Sequence, residues 1–228
     1  MKNIIDLTQE IYNEMPVFPG HLKTHLWEDE THEETALRYT DGYSYCSNAM
    51  LISEHGPTHI DSHSHVNKDG LSIEKMPLDL FYGSALCLDM TWLPEHTLYS
   101  VEMIEEAEKR AGLTIDKGDI VLFHIGHYSK YHPSEKYLTG YSGFSYQAAK
   151  YLIETRGVKN WGVDTPSPDI AGTTNFPVHI HLKKIGIPHI ENLCNLEKVA
   201  GKRFVFAGFP LRIRNGSGSP IRAVAIMQ

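Results

Sequence analysis

The segment His55-Gly-Pro-Thr-His-Ile-Asp-Ser-His-Ser-His65 puts four histidines and one aspartate into eleven residues. Imidazole and carboxylate together suit zinc, or a similar first-row divalent ion such as manganese, better than calcium or magnesium. His55, His59, Asp61, His63 and His65 all occupy odd positions, and small or apolar residues (Gly56, Thr58, Ile60, Ser62, Ser64) occupy the even ones. In an extended chain, residues two apart share a face. A helix would spread these side chains, and Gly56-Pro57 opposes one. A straight strand would hold His55 and His59 roughly 13 Å apart. Each imidazole must reach to about 2.1 Å from an ion, so a straight strand barely allows a shared one. The expected arrangement is a strand that bends at Gly56-Pro57 and converges His55, His59 and Asp61. The plainer alternative is a polar loop rich in histidine.

Such a cluster needs a frame. Ile4–Leu7, Ala49–Ile52, Ser84–Met90 and Ile120–Ile125 read as strands, the last launched by the turn Asp116-Lys-Gly-Asp119. Helices are predicted over Ser100–Ala111 and Ser145–Arg156, each with its serine as N-cap, the second ending at Gly157. A short helix is expected over His179–Lys184, stopped by Gly186 and followed by a strand over Ile187–Ile190. The tail reads as a hairpin: Arg203–Phe206, Leu211–Ile213, a turn at Asn215-Gly-Ser-Gly-Ser219, then Ile221–Met227. Strands with interposed helices point to an α/β chain with a mixed β-sheet core and flanking helices. Apolar residues run the whole length without an obvious linker, so residues 1–228 read as a single domain.

Composition narrows the partners. With 21 Lys and Arg against 28 Asp and Glu, the formal charge is −7, which argues against nucleic acid as a partner. The N-terminus has no long apolar run, so neither a signal peptide nor a membrane span is expected. Cys46, Cys87 and Cys194 are far apart and form no CxxC, which suits buried free thiols in a reducing cytoplasm. GxSxG, GxGxxG and GxxxxGK[ST] are absent, so no serine nucleophile elbow or nucleotide site is expected.

The histidine segment resembles the HxGTHxDxPxH motif of the cyclase / metal-dependent hydrolase family, which includes bacterial kynurenine formamidases and isatin hydrolases. Here it reads His55-x-Pro57-Thr58-His59-x-Asp61-x-His63-x-His65. His179-Ile-His-Leu182 followed by Gly186-Ile-Pro-His-Ile-Glu191-Asn-Leu193 resembles a second signature of that family. Asp6-Leu-Thr8 with Met15-Pro-Val-Phe18-Pro-Gly20 resembles the N-terminal one, and Asp164-Thr-Pro-Ser167-Pro-Asp169 resembles the GxDxxSxD segment.

The resemblance implies a swivelling β/β/α fold and a homodimer or homotetramer. It implies that His55 and His59 bind one metal and His179 a second, that Asp61 and Glu191 bridge them, and that His65 stands off as proton donor and acceptor. Isatin hydrolase-like relatives use a single manganese, so one or two Zn2+ ions, or Mn2+, stay open. The implied activity is an arylformamidase-like amidohydrolase: a metal-activated hydroxide attacks the carbonyl of a small formamide, amide or lactam, and histidine moves the protons. The alternatives are a cyclase or lactone hydrolase on the same scaffold, or a non-catalytic metal- or small-ligand-binding protein. The plain alternative for Glu191 is a surface acid.

Several positions depart from the family pattern. Pro57 and His63 replace the motif glycine and proline. His63 is therefore either an extra polar group in the pocket or a solvent-facing ring. Phe18 stands where formamidases carry a substrate-stacking tryptophan, so it either stacks on substrate or packs in the core. His21 replaces an aspartate, and His127, in His124-Ile-Gly-His127, is a candidate lining residue.

Overall fold

The computed structural model describes residues 3–227. An N-terminal strand β1 (Asn3–Asp6) leads to an arm made of β2 (His25–Glu30), the one-turn helix α1 (His32–Ala36) and β3 (Ser47–Leu51). Next come the short strand β4 (His59–Asp61) and a one-turn helix α2 (His63–Val66). The centre is β5 (Tyr82–Asp89), β6 (Leu98–Tyr99), α3 (Val101–Ala111), β7 (Ile120–His124) and α4 (His127–Tyr131). It continues through β8 (Gly143–Phe144), α5 (Tyr146–Lys150, prolonged by a π-helical turn to Thr155) and β9 (Asn160–Val163). The last elements are α6 (Pro177–Ile185), β10 (His189–Glu191), β11 (Lys202–Ala207), β12 (Gly218–Pro220) and β13 (Val224–Met227).

Among the described residues, nine strands form one mixed sheet in the order β1-β13-β11-β5-β7-β9-β10-β4-β12. β5, β7, β9 and β10 run parallel, and their flanks are antiparallel. The parallel centre is apolar on both faces, as a sheet covered on both sides must be. Leu86, Leu88, Val121, Phe123 and Trp161 point to the side covered by α3, α5 and α6, through Ile104, Ala148, Leu152, Val178 and Leu182. Ala85, Cys87, Ile120 and Leu122 point to the other side, where they meet Leu7, Ile60, Ile190, Phe206 and Ala225. Those partners come from opposite ends of the strand order, so the sheet curls over its own inner face. A bridge between Thr8 and Leu193 ties the two ends together.

Local signals placed most elements. Ser145 accepts from the Ala148 amide at 3.1 Å as an N-cap, and Gly112 ends α3 in the left-handed conformation. Pro177 opens α6 and Gly186 closes it. Arg156 joins α5 to the end of α3: its guanidinium donates to both Glu108 oxygens at 2.7 Å and to the Ile115 carbonyl at 2.8 Å. Arg156→Ala leaves Glu108 buried without its partner and is expected to cost about 3–5 kcal/mol. Urea unfolding checks that figure.

Four expectations need correction. The tail is not a hairpin with a strand at Leu211–Ile213: residues 211–217 are looped, and Gly218–Pro220 forms β12 against β4. A Cβ at Gly218 would meet His55 Cε1 at 2.6 Å, so this strand must be thin, and a turn-forming sequence is used for pairing. The strand expected at Ile187–Ile190 is shifted to His189–Glu191. Cys46 is exposed, whereas Cys87 and Cys194 are buried; all three are free thiols. The single extended run through His65 is also not found, as described next.

Candidate metal and active site

Three local conformations, not one strand, gather the histidine segment. His55–Thr58 is a turn, His59 and Asp61 lie on β4, and His63 and His65 lie on α2. Parity holds only for His59 and Asp61. The bend near Gly56-Pro57 does converge the first ligands, and the His55 and His59 rings sit 5.1 Å apart, edge to face. α2 swings His65 back until its ring centroid is 4.2 Å from that of His55. His63 points elsewhere. It donates from Nε2 to the Lys183 carbonyl at 2.9 Å and so ties α2 to α6, fitting neither of its expected roles.

The strand register supplies the rest. β10 lies antiparallel to β4, with His189 opposite Asp61 and Glu191 opposite His59. Directly opposed residues share a face, so four donor side chains meet on one patch of sheet. α6 adds His179. The structure thus brings His55, His59, Asp61, His65, His179 and Glu191 together, and adds His189. Its signal was the alternation His189-Ile-Glu191, which ending the strand at Ile190 concealed.

Each Asp61 oxygen faces a different pair of imidazoles. Oδ1 lies 2.6 Å from His55 Nδ1 and 3.1 Å from His59 Nε2. Oδ2 lies 3.4 Å from His189 Nε2 and 3.7 Å from His179 Nε2. Glu191 repeats the pattern: Oε2 is 3.4 Å from His59, while Oε1 is 3.1 Å from His189 and 3.8 Å from His179.

The outer ring nitrogens fix which nitrogen of each imidazole faces inward. His59 Nδ1–H donates to the Pro57 carbonyl at 2.8 Å, and its buried Nε2 has no hydrogen-bond partner although two carboxylates face it. Glu54 takes the Ser217 hydroxyl proton at 2.7 Å, so Ser217 can only accept from His55 Nε2–H at 2.8 Å. A His55 ring protonated on Nε2 alone would present its Nδ1 lone pair to Asp61. The His179 Nδ1–H donates to Asp169 at 2.5 Å, and Asp169 also accepts the Val178 and His179 amides. Lone pairs aimed at carboxylates repel unless a cation lies between, and carboxylate-oriented histidines are the usual metal-ligand arrangement. The donor set therefore fits a divalent ion.

In the absence of an ion, protons take its place. Burial disfavours charge on His59, yet the facing Asp61 and Glu191 carboxylates outweigh it and raise the ring to about 10. His179 is likewise opposed by burial and raised to about 10, by Asp169 and Asp61. Against their burial, His189 with His179, His55 and His59 holds Asp61 well below the ordinary carboxylate range, and His189 with His59 holds Glu191 down to about 2. Below pH 10 an entering ion must displace the His59 and His179 protons. Binding is expected to release up to about two protons and to tighten as pH rises from neutrality, which calorimetry in buffers of different ionisation enthalpy measures. The same protons stabilise the metal-free fold below the ordinary histidine value of 6.5, and this contribution is lost as pH climbs through 10.

Asp169 is a positioning group that the sequence motif contained without revealing its role. Gly143 lets it come close: a Cβ there would meet the Ile170 amide nitrogen at 2.1 Å. Asp169→Asn is expected to weaken metal binding roughly 10–100-fold by loosening His179. Competition with a chromogenic chelator gives the value.

A cavity of about 420 Å³ opens directly onto the cluster. Phe18, Val66, Pro166, Phe176 and Ile180 form its apolar walls, with His21 beside them and Lys183 also lining it. Phe18 is thus a wall of the cavity and not a core aromatic. His127 lines a separate cavity and donates to the Tyr137 carbonyl at 2.9 Å, so it does not reach this site. Side-chain exposure grades the imidazoles: His59 1%, His189 3%, His55 8%, His179 13% and His65 27%. His65 is the most exposed of the cluster imidazoles lining the cavity. Burial holds it down to about 4, so it is neutral at pH 7 and keeps a ring-nitrogen lone pair unprotonated.

The Cyclase family model matches residues 5–170, a span that carries His55, His59, Asp61, His65 and Asp169. The chain belongs to the cyclase family. A kynurenine formamidase from Salinibacter ruber is 27% identical to this cyclase-family chain, over 97% of it and 96% of the relative. Among solved structures, isatin hydrolase A from Labrenzia aggregata superposes with a TM-score of 0.86 at 24% identity, covering 99% of this chain and 94% of that one. Isatin hydrolase A from Ralstonia solanacearum gives 0.87 at 22% identity, covering 100% and 92%. Both share the α/β fold with its large curled mixed sheet.

Proposed function

We propose that the chain is a metal-dependent hydrolase that cleaves the C–N bond of a small formamide, amide or lactam. The observation that carries this reading is the opening of the apolar-walled cavity onto the buried His/Asp/Glu cluster, with His65 between them. A divalent ion, when bound, activates water and polarises a carbonyl. Zn2+ suits the imidazole and carboxylate donors, and Mn2+ is the second choice. The ligands in this reading are His55, His59, Asp61, His179 and Glu191.

The remaining chemistry belongs to the chain. Phe18 and Phe176 hold an apolar or aromatic body by stacking and exclude water from the reacting bond. His65 Nε2, 3.5 Å from Asp61 Oδ2, takes a proton from the attacking water and returns it to the departing amine. Asp61 and Glu191 keep the charge of the centre balanced.

Residues 1–228 act as one catalytic domain in this reading. The free thiols are consistent with a cytoplasmic location, and among the described residues no helix is long and apolar enough to cross a membrane. The arm leaves Trp27, Met50 and Leu51 about half exposed, which supports a homodimer or homotetramer.

The test is a panel of an N-formylanilide, isatin and a lactone with protein loaded with Zn2+ or Mn2+. Turnover of the formamide or isatin is expected. Turnover of the lactone alone would favour the C–O reading, and no turnover at all would favour a metal-binding module.

A further inference from the structure

We infer that His189 is a metal ligand, and that it makes the second half of the centre equivalent to the first. This rests on the metal-site reading above but not on the reaction. The two bridging carboxylates divide the donors into two sets. One contains His55, His59, Asp61 Oδ1 and Glu191 Oε2. The other contains His179, His189, Asp61 Oδ2 and Glu191 Oε1. Each has two imidazoles and one oxygen from each carboxylate.

The paired rings match as well. His55 and His59 lie 5.1 Å apart at 87°, and His179 and His189 lie 5.0 Å apart at 88°. In the second set the nitrogens stand 3.1–3.8 Å from the oxygens. Four donors at about 2.1 Å in a tetrahedron are roughly 3.4 Å from one another, so the spacing fits one ion. One donor atom each from Asp61, His179, His189 and Glu191 lies within 4.8 Å of all the others. Without His189, this half holds one imidazole on a helix; with it, the half gains a ligand fixed on a central strand and 3% exposed. His189 sits opposite Asp61 in the sheet, so the β4–β10 pair holds its backbone beside the cluster.

The competing role is a core histidine that only donates to Glu191. His189→Gln separates the two, because a glutamine amide can donate that hydrogen bond but is a poor ligand. Apo protein is titrated with Zn2+ against a chromogenic chelator, and bound ions per chain are counted by elemental analysis. The expected result is two ions in the parent and one in the folded variant, the second weakened more than about 100-fold. His189→Cys, which restores a donor, should recover the second ion. The visible spectrum of the Co2+-loaded protein should change in His189→Gln. Unchanged stoichiometry, affinity and Co2+ spectrum in His189→Gln would overturn the inference. If the ions depend on His189 and the substrate panel stays untouched, the hydrolase reading fails and this one stands. If substrates turn over while the variant binds as the parent does, the reverse holds.

Discussion

Replacing His65 with alanine is expected to remove about 10²–10⁴ of turnover while the metal stays bound. Among the cluster imidazoles, His65 is the most exposed, at 27%, and it comes from a one-turn helix rather than a strand. Its neutral state follows from burial, which outweighs the pull of the Asp61 carboxylate. A neutral imidazole at the cavity wall can act as base and then as acid. Elemental analysis of His65→Ala alongside single-turnover kinetics decides the role. Loss of metal in parallel with activity would instead make His65 a ligand. His55, Asp61 and His65 each have a donor atom within 4.8 Å of the others, so that outcome is geometrically available.

Asp61→Asn is expected to do more. Even loss of an outer partner weakens metal sites roughly 10–100-fold, so loss of Asp61 in its proposed bridging role should exceed about 100-fold and abolish turnover. The carboxylate is 3% exposed and has five imidazoles within 3.7 Å. Asparagine keeps the shape but removes the charge that all five face. Metal content should fall in Asp61→Asn, and the melting temperature should lose its dependence on added Zn2+. An ion at 100 times its Kd stabilises a fold by about 2.7 kcal/mol, which a thermal scan with and without a chelator detects. Retention of both ions would remove Asp61 from the bridging position.

Much of this centre was legible before the fold. Residue chemistry alone nominated His55, His59 and Asp61, and the resemblance supplied His65, His179 and Glu191. The geometry was less legible. Parity in the 55–65 segment looked like one extended strand, but Ser62 stops β4 and begins a helical turn, which separates His63 from His65. His189 was hidden because its assignment depends on which residues β10 pairs with, and register between strands over a hundred residues apart is not a local property. β12 was missed for a related reason. Gly218 is selected by the absence of a side chain beside His55, not by strand propensity. Glu54, Ser217 and Asp169 are ordinary polar residues in sequence and acquire meaning only from the rings they orient.

The neighbours of β4 also set the order of assembly. β5, β7 and β9, with the helices between them, lie within residues 82–163 and can form from contiguous chain. Among the described residues, β4 pairs only with β10 and β12, at residues 189–191 and 218–220. Contacts that close such long loops form late in folding. During synthesis, the histidines at 55–65 therefore lack their β10 and β12 neighbours until almost the whole chain has emerged. The cluster is completed by the final third of the chain, since His179, His189, Glu191 and the β12 edge all follow residue 170.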